Sequence, residues 1–470
     1  MSRLIIQNGR LVDPKNKLNR YADIVLEDGH VAEIAEHCAA QPMDETIDAT
    51  GHIVMPGIID MHTHMRTSAG HPHAQHMAAL AGYTTVLDMA GPLNDILAAT
   101  RTHGAGINIA ITQTASFLRE LSSGRPSASE QDAFIAKTLE AGAIGIKLLG
   151  GHFPMDLDVT HSLIDACSKA NAWIGWHAGN TVHGSNIDGM RDAVEVADGH
   201  FLHLAHINTY CRGLIRGEIE ETLEAIELLN THPQIFSESY LSPLNGARLA
   251  IVNDVPQYAV TAAALQKIGC APTRDGMHEA ITRRLLGVVI DDGSAGRLVY
   301  GEQALEHWLK HDTRVHGMFA VNPAVSRLML AQAKRQDGSF TVDTFSTDGG
   351  SYPRNVIVEN GLALVQLGAI TLSEFVLKAS TNGAKALGLT NKGHLGLGAD
   401  ADVTILDPIR HCTVATIVGG RCVMRNGRVT GRNATIICDA RGERHLKAQG
   451  FATCVKSPLV ADDVARRLHA

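Results

Sequence analysis

From residue 56 to about 240, short apolar runs alternate with stretches of helical periodicity, roughly one pair every 30 residues. The candidate strands are Ile58–His62, Thr84–Met89, Ile107–Thr112, Ile144–Leu148, Ala172–His177, Phe201–His206 and Gln234–Ser239. Between them, Ser129–Ala141, Asp158–Ala170 and Gly217–Asn230 read as helices. Strand, helix, strand at this spacing means βαβ units and a parallel sheet. Seven such strands leave a closed barrel one strand short, and Thr344-Phe345-Ser346-Thr347, ending at Asp348, supplies the eighth. The predicted fold class is therefore α/β: a (β/α)8 TIM barrel over residues 55–388. The long gap before the eighth strand, about 250–338, is expected to be a mostly helical insertion or an extended loop, with Gly293–Gly296 as a flexible point. Leu372–Leu387 is expected to be the final barrel helix.

Both ends of the chain read differently. Residues 1–54 hold short apolar runs broken by Asn8-Gly9 and Asp28-Gly29, and residues 389–440 hold similar runs with Asn426-Gly427. Such dipeptides between apolar runs signal hairpins. A small β-sandwich domain built from both termini is predicted. Residues 441–470 are expected to form a partly helical C-terminal appendage, in which Val460–His469 covers a partner subunit or lies as a loose tail.

Composition narrows the function class. With 470 residues, 45% of them hydrophobic, the chain can bury a large core. The net charge of −8 and the lack of a basic block argue against nucleic acid and anionic membranes as partners. The N-terminus is too polar for a signal peptide, and no run of about 18 apolar residues is present for a membrane span. Eight scattered cysteines without a CxxC pair point to reduced thiols in a cytoplasmic protein. A homo-oligomer is expected.

The chemistry gathers where a parallel barrel would bring it. Side chains at the C-terminal ends of barrel strands converge on one mouth. In Ile58-Ile59-Asp60-Met61-His62-Thr63-His64, alternation sends His62 and His64 to one face. Strand four ends with Lys147, strand five with His177, strand six with His206 and strand eight with Asp348, and Lys147, His177 and His206 follow at intervals of 30 and 29 residues. Each has an ordinary explanation by itself: a capping histidine, a surface lysine, a turn aspartate before Gly349-Gly350. His203 rivals His206 from the opposite strand face, and His200 reads as solvated. His71, His73 and His76 follow strand one and read as solvated too. All the ordinary explanations holding together, at successive strand ends, is the less economical reading.

The set Pro56-Gly57-x-x-Asp60-x-His62-x-His64, Lys147, His177, His206 and Asp348 resembles the amidohydrolase superfamily in its two-metal, carboxylated-lysine form. The terminal β segments and Gly398-Ala399-Asp400-Ala401-Asp402 are similar to that superfamily's small sandwich domain. Ser346-Thr347-Asp348-Gly349-Gly350 looks closer to D-aminoacylases and isoaspartyl dipeptidases than to hydantoinases and dihydroorotases, and Leu204–Tyr210 resembles an N-formyl hydrolase, the catalytic subunit of formylmethanofuran dehydrogenase. The resemblance implies two divalent ions, with Zn²⁺ the best match to imidazole and carboxylate. His62, His64 and Asp348 would hold one, His177 and His206 the other. Lys147, carboxylated on its amine, would bridge them. Asp348 would act as general base, then general acid. The implied substrate is a small amide: an N-acyl amino acid, a dipeptide-like amide or a cyclic amide.

For substrate recognition the strand-end loops offer Asn180, Tyr210, Arg212, Tyr240 and Arg354; either arginine would clamp a carboxylate or lie at the surface. Alternative readings are an N-formyl hydrolase, a one-metal deaminase of an aminated ring, for which Lys147 has no use, and a non-catalytic scaffold, which would be expected to have lost ligands.

Overall fold

The computed structural model describes residues 3–66, 72–116, 121 and 124–458. The expectations for His71 and for Val460–His469 lie outside the described residues.

Eight parallel strands form the centre: β1 (Ile58–His64), β2 (Tyr83–Ala90), β3 (Asn108–Thr114), β4 (Gly145–Leu149), β5 (Trp173–His177), β6 (Leu202–Leu204), β7 (Ile235–Tyr240) and β8 (Thr344–Ser346). They lie in sequence order, each hydrogen-bonded to the next. Closure comes just past β8, where Gly349 and Gly350 pair in parallel with Thr63 and His64 of β1. The strands are buried on both faces, so they read as continuous apolar runs such as Ile109-Ala110-Ile111. Helices Ala128–Glu140, Leu157–Lys169, Ile187–Ala197 and Glu218–Thr231 pack side by side around the strands. The last barrel helix runs from Leu372 to Leu387 with a π turn at Leu377–Thr381.

The two termini meet in one nine-stranded sheet, joined where Ile53–Pro56 runs antiparallel to Val403–Asp407. Ile6, Leu11, Ile24 and Val31 from the N-terminal strands share a core with Val403, Ile405 and Ile417 from the C-terminal ones. Asp28-Gly29 and Asn426-Gly427 make the expected two-residue turns, all four residues at positive φ. Asn8-Gly9 does not. Arg3–Asp13 is one strand paired along its length with Leu18–Glu27, and Asn8-Gly9 forms a bulge within it. The reason is local: Asp23 accepts the Asn8 N–H at 2.8 Å, and a Cβ on Gly9 would lie 2.4 Å from Val54.

Two other expectations change. The segment before β8 is an α/β unit, not a mostly helical one. Asn245–Arg248, His316–Phe319, Leu286–Asp291 and Gly296–Val299 form an antiparallel sheet. Helices Ala259–Lys267, Arg274–Thr282 and Glu302–Lys310 accompany it, around a core containing Leu265, Met277, Val288, Trp308 and Phe319. Leu286-Gly287-Val288-Val289 is buried on both faces, which erased the alternation that marks a strand. The helix Ala324–Gln332 returns to the barrel and packs against Glu218–Thr231. At the C-terminus, Thr435–Cys438 joins the barrel sheet beside Asn108–Ala110 of β3, on the edge that β4 occupies farther along. Helix Ala440–Ala448 and strand Ala452–Val455 follow. Among the described residues no helix is long and apolar enough to cross a membrane.

Candidate active site

The C-terminal ends of the barrel strands open into a cavity of about 600 Å³. His62, His64, Lys147, His177, His206 and Asp348 all line it, although they come from five strand ends spread over almost 290 residues of chain. His62 and His64 project together from β1, as alternation requires, and their ring centroids are 5.5 Å apart. Asp348 Oδ1 lies 2.8 Å from His64 Nε2 and 3.5 Å from His62 Nε2. These three side chains are close enough to share one metal ion. On the other side, His177 Nδ1 and His206 Nε2 face each other at 3.0 Å. The second nitrogen of His177 meets Ser185 Oγ at 2.7 Å.

His206 reaches the cavity in an unexpected way. Strand β6 stops at Leu204, and His206 takes φ +37° and ψ 69°, in the left-handed region. This turn, not strand alternation, aims its ring. His203 consequently does not lie on an opposite face. It is in register with Gly175 and Phe236, is buried, and lies 3.8 Å from the Glu238 carboxylate inside the barrel.

Burial sets the charge state of the group. It holds His62, His177 and His206 well below the ordinary histidine value, so their rings are neutral and keep a lone pair for a ligand. Lys147 is 1% exposed, and its Nζ has no hydrogen-bond partner among the described residues. Burial lowers this amine to about 7, against the pull of Glu238, Asp348 and Asp88. Burial alone would raise Asp348. The Arg354 guanidinium, with the hydrogen bond to His64, outweighs it and holds the carboxyl well below its usual range.

The expected substrate-binding residues divide. Arg212 lines the cavity, with Nε held by Asn322 Oδ1 at 3.0 Å and Nη2 by the Tyr240 hydroxyl at 2.8 Å. Asn180 also lines it, but its side chain builds the loop after β5. Its Oδ1 accepts the N–H groups of Val182 and His183, and its Nδ2 donates to Asp192. Tyr210 is buried behind the site, where its hydroxyl accepts the Ala178 N–H at 2.8 Å. Tyr240 supports Arg212 from below. Arg354 is buried and committed: it pairs with the Asp348 carboxylate, donates to the Asp348 and Leu244 carbonyls and stacks on Tyr240. It also lines the cavity, though most of its guanidinium is engaged within the protein. His73 turns toward Asp291 of the inserted unit, 3.2 Å away, and neither it nor His76 lines the cavity.

Sequence reasoning missed several residues here. The inserted helix contributes Ala259, Val260, Ala263 and Ala264 to a small-residue apolar wall, and Arg66, His152 and Tyr352 line the mouth. Glu238, fully buried on β7, lies 2.6 Å from His62 Nδ1. The available signal was a carboxylate inside the otherwise uncharged run Ile235–Tyr240, with the same parity as Phe236.

A parallel barrel whose mouth gathers four histidines, an aspartate and a buried lysine is the architecture of a metal-dependent hydrolase. The model of the amidohydrolase family matches residues 53–430, and the chain belongs to that family, as a hydrolase of carbon–nitrogen bonds other than peptide bonds. A dihydroorotase of Geobacter metallireducens is 26% identical over 446 residues, covering 87% of this chain and 91% of the relative. Among solved structures, the N-acyl-D-glutamate deacylase of Bordetella bronchiseptica, complexed with zinc and a phosphonate inhibitor, aligns with a TM-score of 0.66 at 16% identity, over 92% of this chain and 98% of that one. A chain of the formyltransferase/hydrolase complex of Methylorubrum extorquens aligns over 98% of this chain and 96% of its own, with a TM-score of 0.58 at 18% identity. At these identities the structural likenesses establish the fold alone.

Proposed function

We propose that the chain hydrolyses the amide bond of a small cyclic or N-acylated substrate, using two divalent ions, zinc by the chemistry of the donors. One observation carries this reading: Lys147, a buried amine without a hydrogen-bond partner, lines the same cavity as His62, His64, His177, His206 and Asp348. The donors fit the ions. Neutral imidazoles with one carboxylate suit Zn²⁺, and an isolated buried ammonium would be costly. As a neutral amine, Lys147 would add to CO₂: an N–C bond forms, a proton is released, and the resulting carbamate would be an anion with oxygens to offer as ligands to the ions. His62, His64 and Asp348 would hold one ion and His177 and His206 the other. Bound there, the ions supply a Lewis acid for the scissile carbonyl and lower the pKa of water from about 15.7 towards 7.

The chain's own groups do the rest. Asp348, kept ionised by Arg354, accepts the proton of the attacking water and returns it to the leaving nitrogen. Arg212, braced by Asn322 and Tyr240, offers its remaining N–H groups to a substrate carboxylate. The wall from Ala259 to Ala264 receives the apolar part of the substrate. The dihydroorotase relatives support a cyclic amide, and the deacylase-like fold is compatible with a linear one. A one-metal deaminase would leave Lys147 without a role. Free thiols at all eight cysteines support a cytoplasmic enzyme, and we place it there as a homo-oligomer.

The test is metal-replete protein assayed against dihydroorotate, hydantoins, N-acetyl and N-formyl amino acids and dipeptides. Zinc-dependent release of an amine or ring-opened acid from one class is expected. Protein that binds two ions per chain yet turns over none of these would overturn the reading.

A further inference from the structure

Strand β7 supplies none of the six side chains assigned above, yet it carries a residue that touches both halves of the cluster. Glu238 Oε1 lies 2.6 Å from His62 Nδ1 and accepts the backbone N–H of His206, also at 2.6 Å. Oε2 meets the hydroxyl of Ser346, two residues before Asp348. The carboxylate is completely buried. Three elements that must be held in register for two ions to bind, β1, the turn after β6 and β8, are therefore tied to one carboxyl group on the strand between the last two.

The geometry points to Glu238 as the positioning residue of the metal cluster, acting on both ions without touching either. As a carboxylate, Glu238 has only acceptor oxygens, which take the His206 N–H and the Ser346 hydroxyl, so towards His62 it is an acceptor too and Nδ1 carries the proton. The lone pair of His62 is then left on Nε2, the atom that faces Asp348 at 3.5 Å. Without an acceptor at Nδ1, the ring is free to exchange tautomers or rotate, and the lone pair is lost from the cavity for part of the time. Outer carboxylates that fix a ligating imidazole in this way are worth about 10–100-fold in metal affinity. The second contact acts on the backbone. His206 is held at φ +37°, a conformation that non-glycine residues rarely adopt, and the bond to Glu238 anchors its amide there. One group thus selects the tautomer of one ligand and the rotation of the other.

This inference rests on the two-ion reading, but its test does not use turnover. Metal-free protein is titrated with Zn²⁺ against a chromophoric chelator. Glu238→Leu, similar in volume and unable to accept a hydrogen bond, is expected to bind zinc at least 10-fold more weakly than wild type. Glu238→Gln, whose amide oxygen can still accept from both His62 and His206, is expected to recover most of that loss. A residue that merely filled the core would lower the melting temperature of the metal-free protein and leave the zinc affinity unchanged. If folded Glu238→Leu binds zinc as wild type does, the inference is wrong. Should Glu238→Leu fail to fold, nitrogen-15 histidine spectra of the zinc-loaded wild-type protein decide the matter: His62 must be protonated on Nδ1, and a proton on Nε2 overturns it. Wild-type protein that binds no zinc at all would instead overturn the two-ion reading.

Discussion

The backbone N–H of Asp348 donates to the carbonyl oxygen of His62 at 2.8 Å. The bond that helps close the barrel is thus also the bond that brings the first and last of the assigned ligands together. Asp348 has φ +48°, and this left-handed turn lies between β8 and the Gly349–Gly350 pair that joins β1. Closure of the sheet and assembly of the site are one event. Replacing the carboxylate without altering its shape keeps this backbone bond, so the fold should persist, but it leaves the buried Arg354 without its charge partner and should lower stability. Asp348→Asn is expected to keep the circular dichroism spectrum and lose about 10²–10⁴-fold in kcat, the usual contribution of a positioned acid–base group. Turnover within a few-fold of wild type would remove Asp348 from the proton path.

Lys147 makes the opposite prediction for stability. Its amine is buried and makes no hydrogen bond, so the side chain contributes its methylenes to packing and a desolvation cost through its nitrogen. Lys147→Met should leave the melting temperature of the metal-free protein unchanged or higher. Metal content and activity should both fall, and Lys147→Ala should recover part of its activity when acetate or propionate is added. Full activity in either variant would rule out the bridging carbamate.

Arg354 and Asp348 form a pair in which the arginine is 1% and the aspartate 17% exposed. Removing one partner of a pair this enclosed leaves a charge without compensation, at a cost of about 3 kcal/mol. Arg354→Met should lower the urea midpoint accordingly and reduce kcat. A substrate clamp would behave differently, with KM rising at unchanged stability. Equilibrium unfolding and steady-state kinetics on the same variant separate the two.

Far from the cavity, Lys392 is enclosed between Asp400 and Asp402, at 2.9 and 2.6 Å. Burial alone would lower its pKa, but the two carboxylates more than offset this and raise it above the ordinary 10.5. The folded state thus holds this proton more tightly than the unfolded chain. The stabilisation is complete below pH 10.5 and is lost as the pH climbs through the folded value. Unfolding experiments should show wild-type stability falling above about pH 10.5, with the fall reduced in Lys392→Met, which at neutral pH should be destabilised by about 3–5 kcal/mol. A variant as stable as wild type at neutral pH would refute this account.

How far the sequence led can be judged residue by residue. Periodicity located all eight barrel strands to within a few residues, because a strand buried on both faces has to be apolar throughout and the helices between have to be amphipathic. It also brought out His62, His64, Lys147, His177, His206 and Asp348, since a parallel barrel delivers strand ends to one mouth whatever the loops do. It failed where the outcome depends on contacts that only folding makes. Asn8-Gly9 has the chemistry of a turn, but Val54 and Asp23, remote in the chain, make it a bulge. Arg354 looked available to a substrate until folding placed it against Asp348. Glu238 drew no notice because its local signal, a lone carboxylate in an otherwise uncharged strand, says that it points inward but not that it meets His62.

The chain's sequence by itself determined the alternation of strands and helices, the barrel that follows from it and the side chains its mouth would gather, because these depend on short-range periodicity and on the fixed polarity of a parallel sheet. Only the tertiary structure decided which charges are paired, which face the inserted unit turns to the cavity and how His206 is aimed. Those outcomes depend on contacts that only the folded chain makes, some between near neighbours such as Asp348 and Arg354 and others between residues as far apart as His62 and Asp348, and no local pattern encodes them.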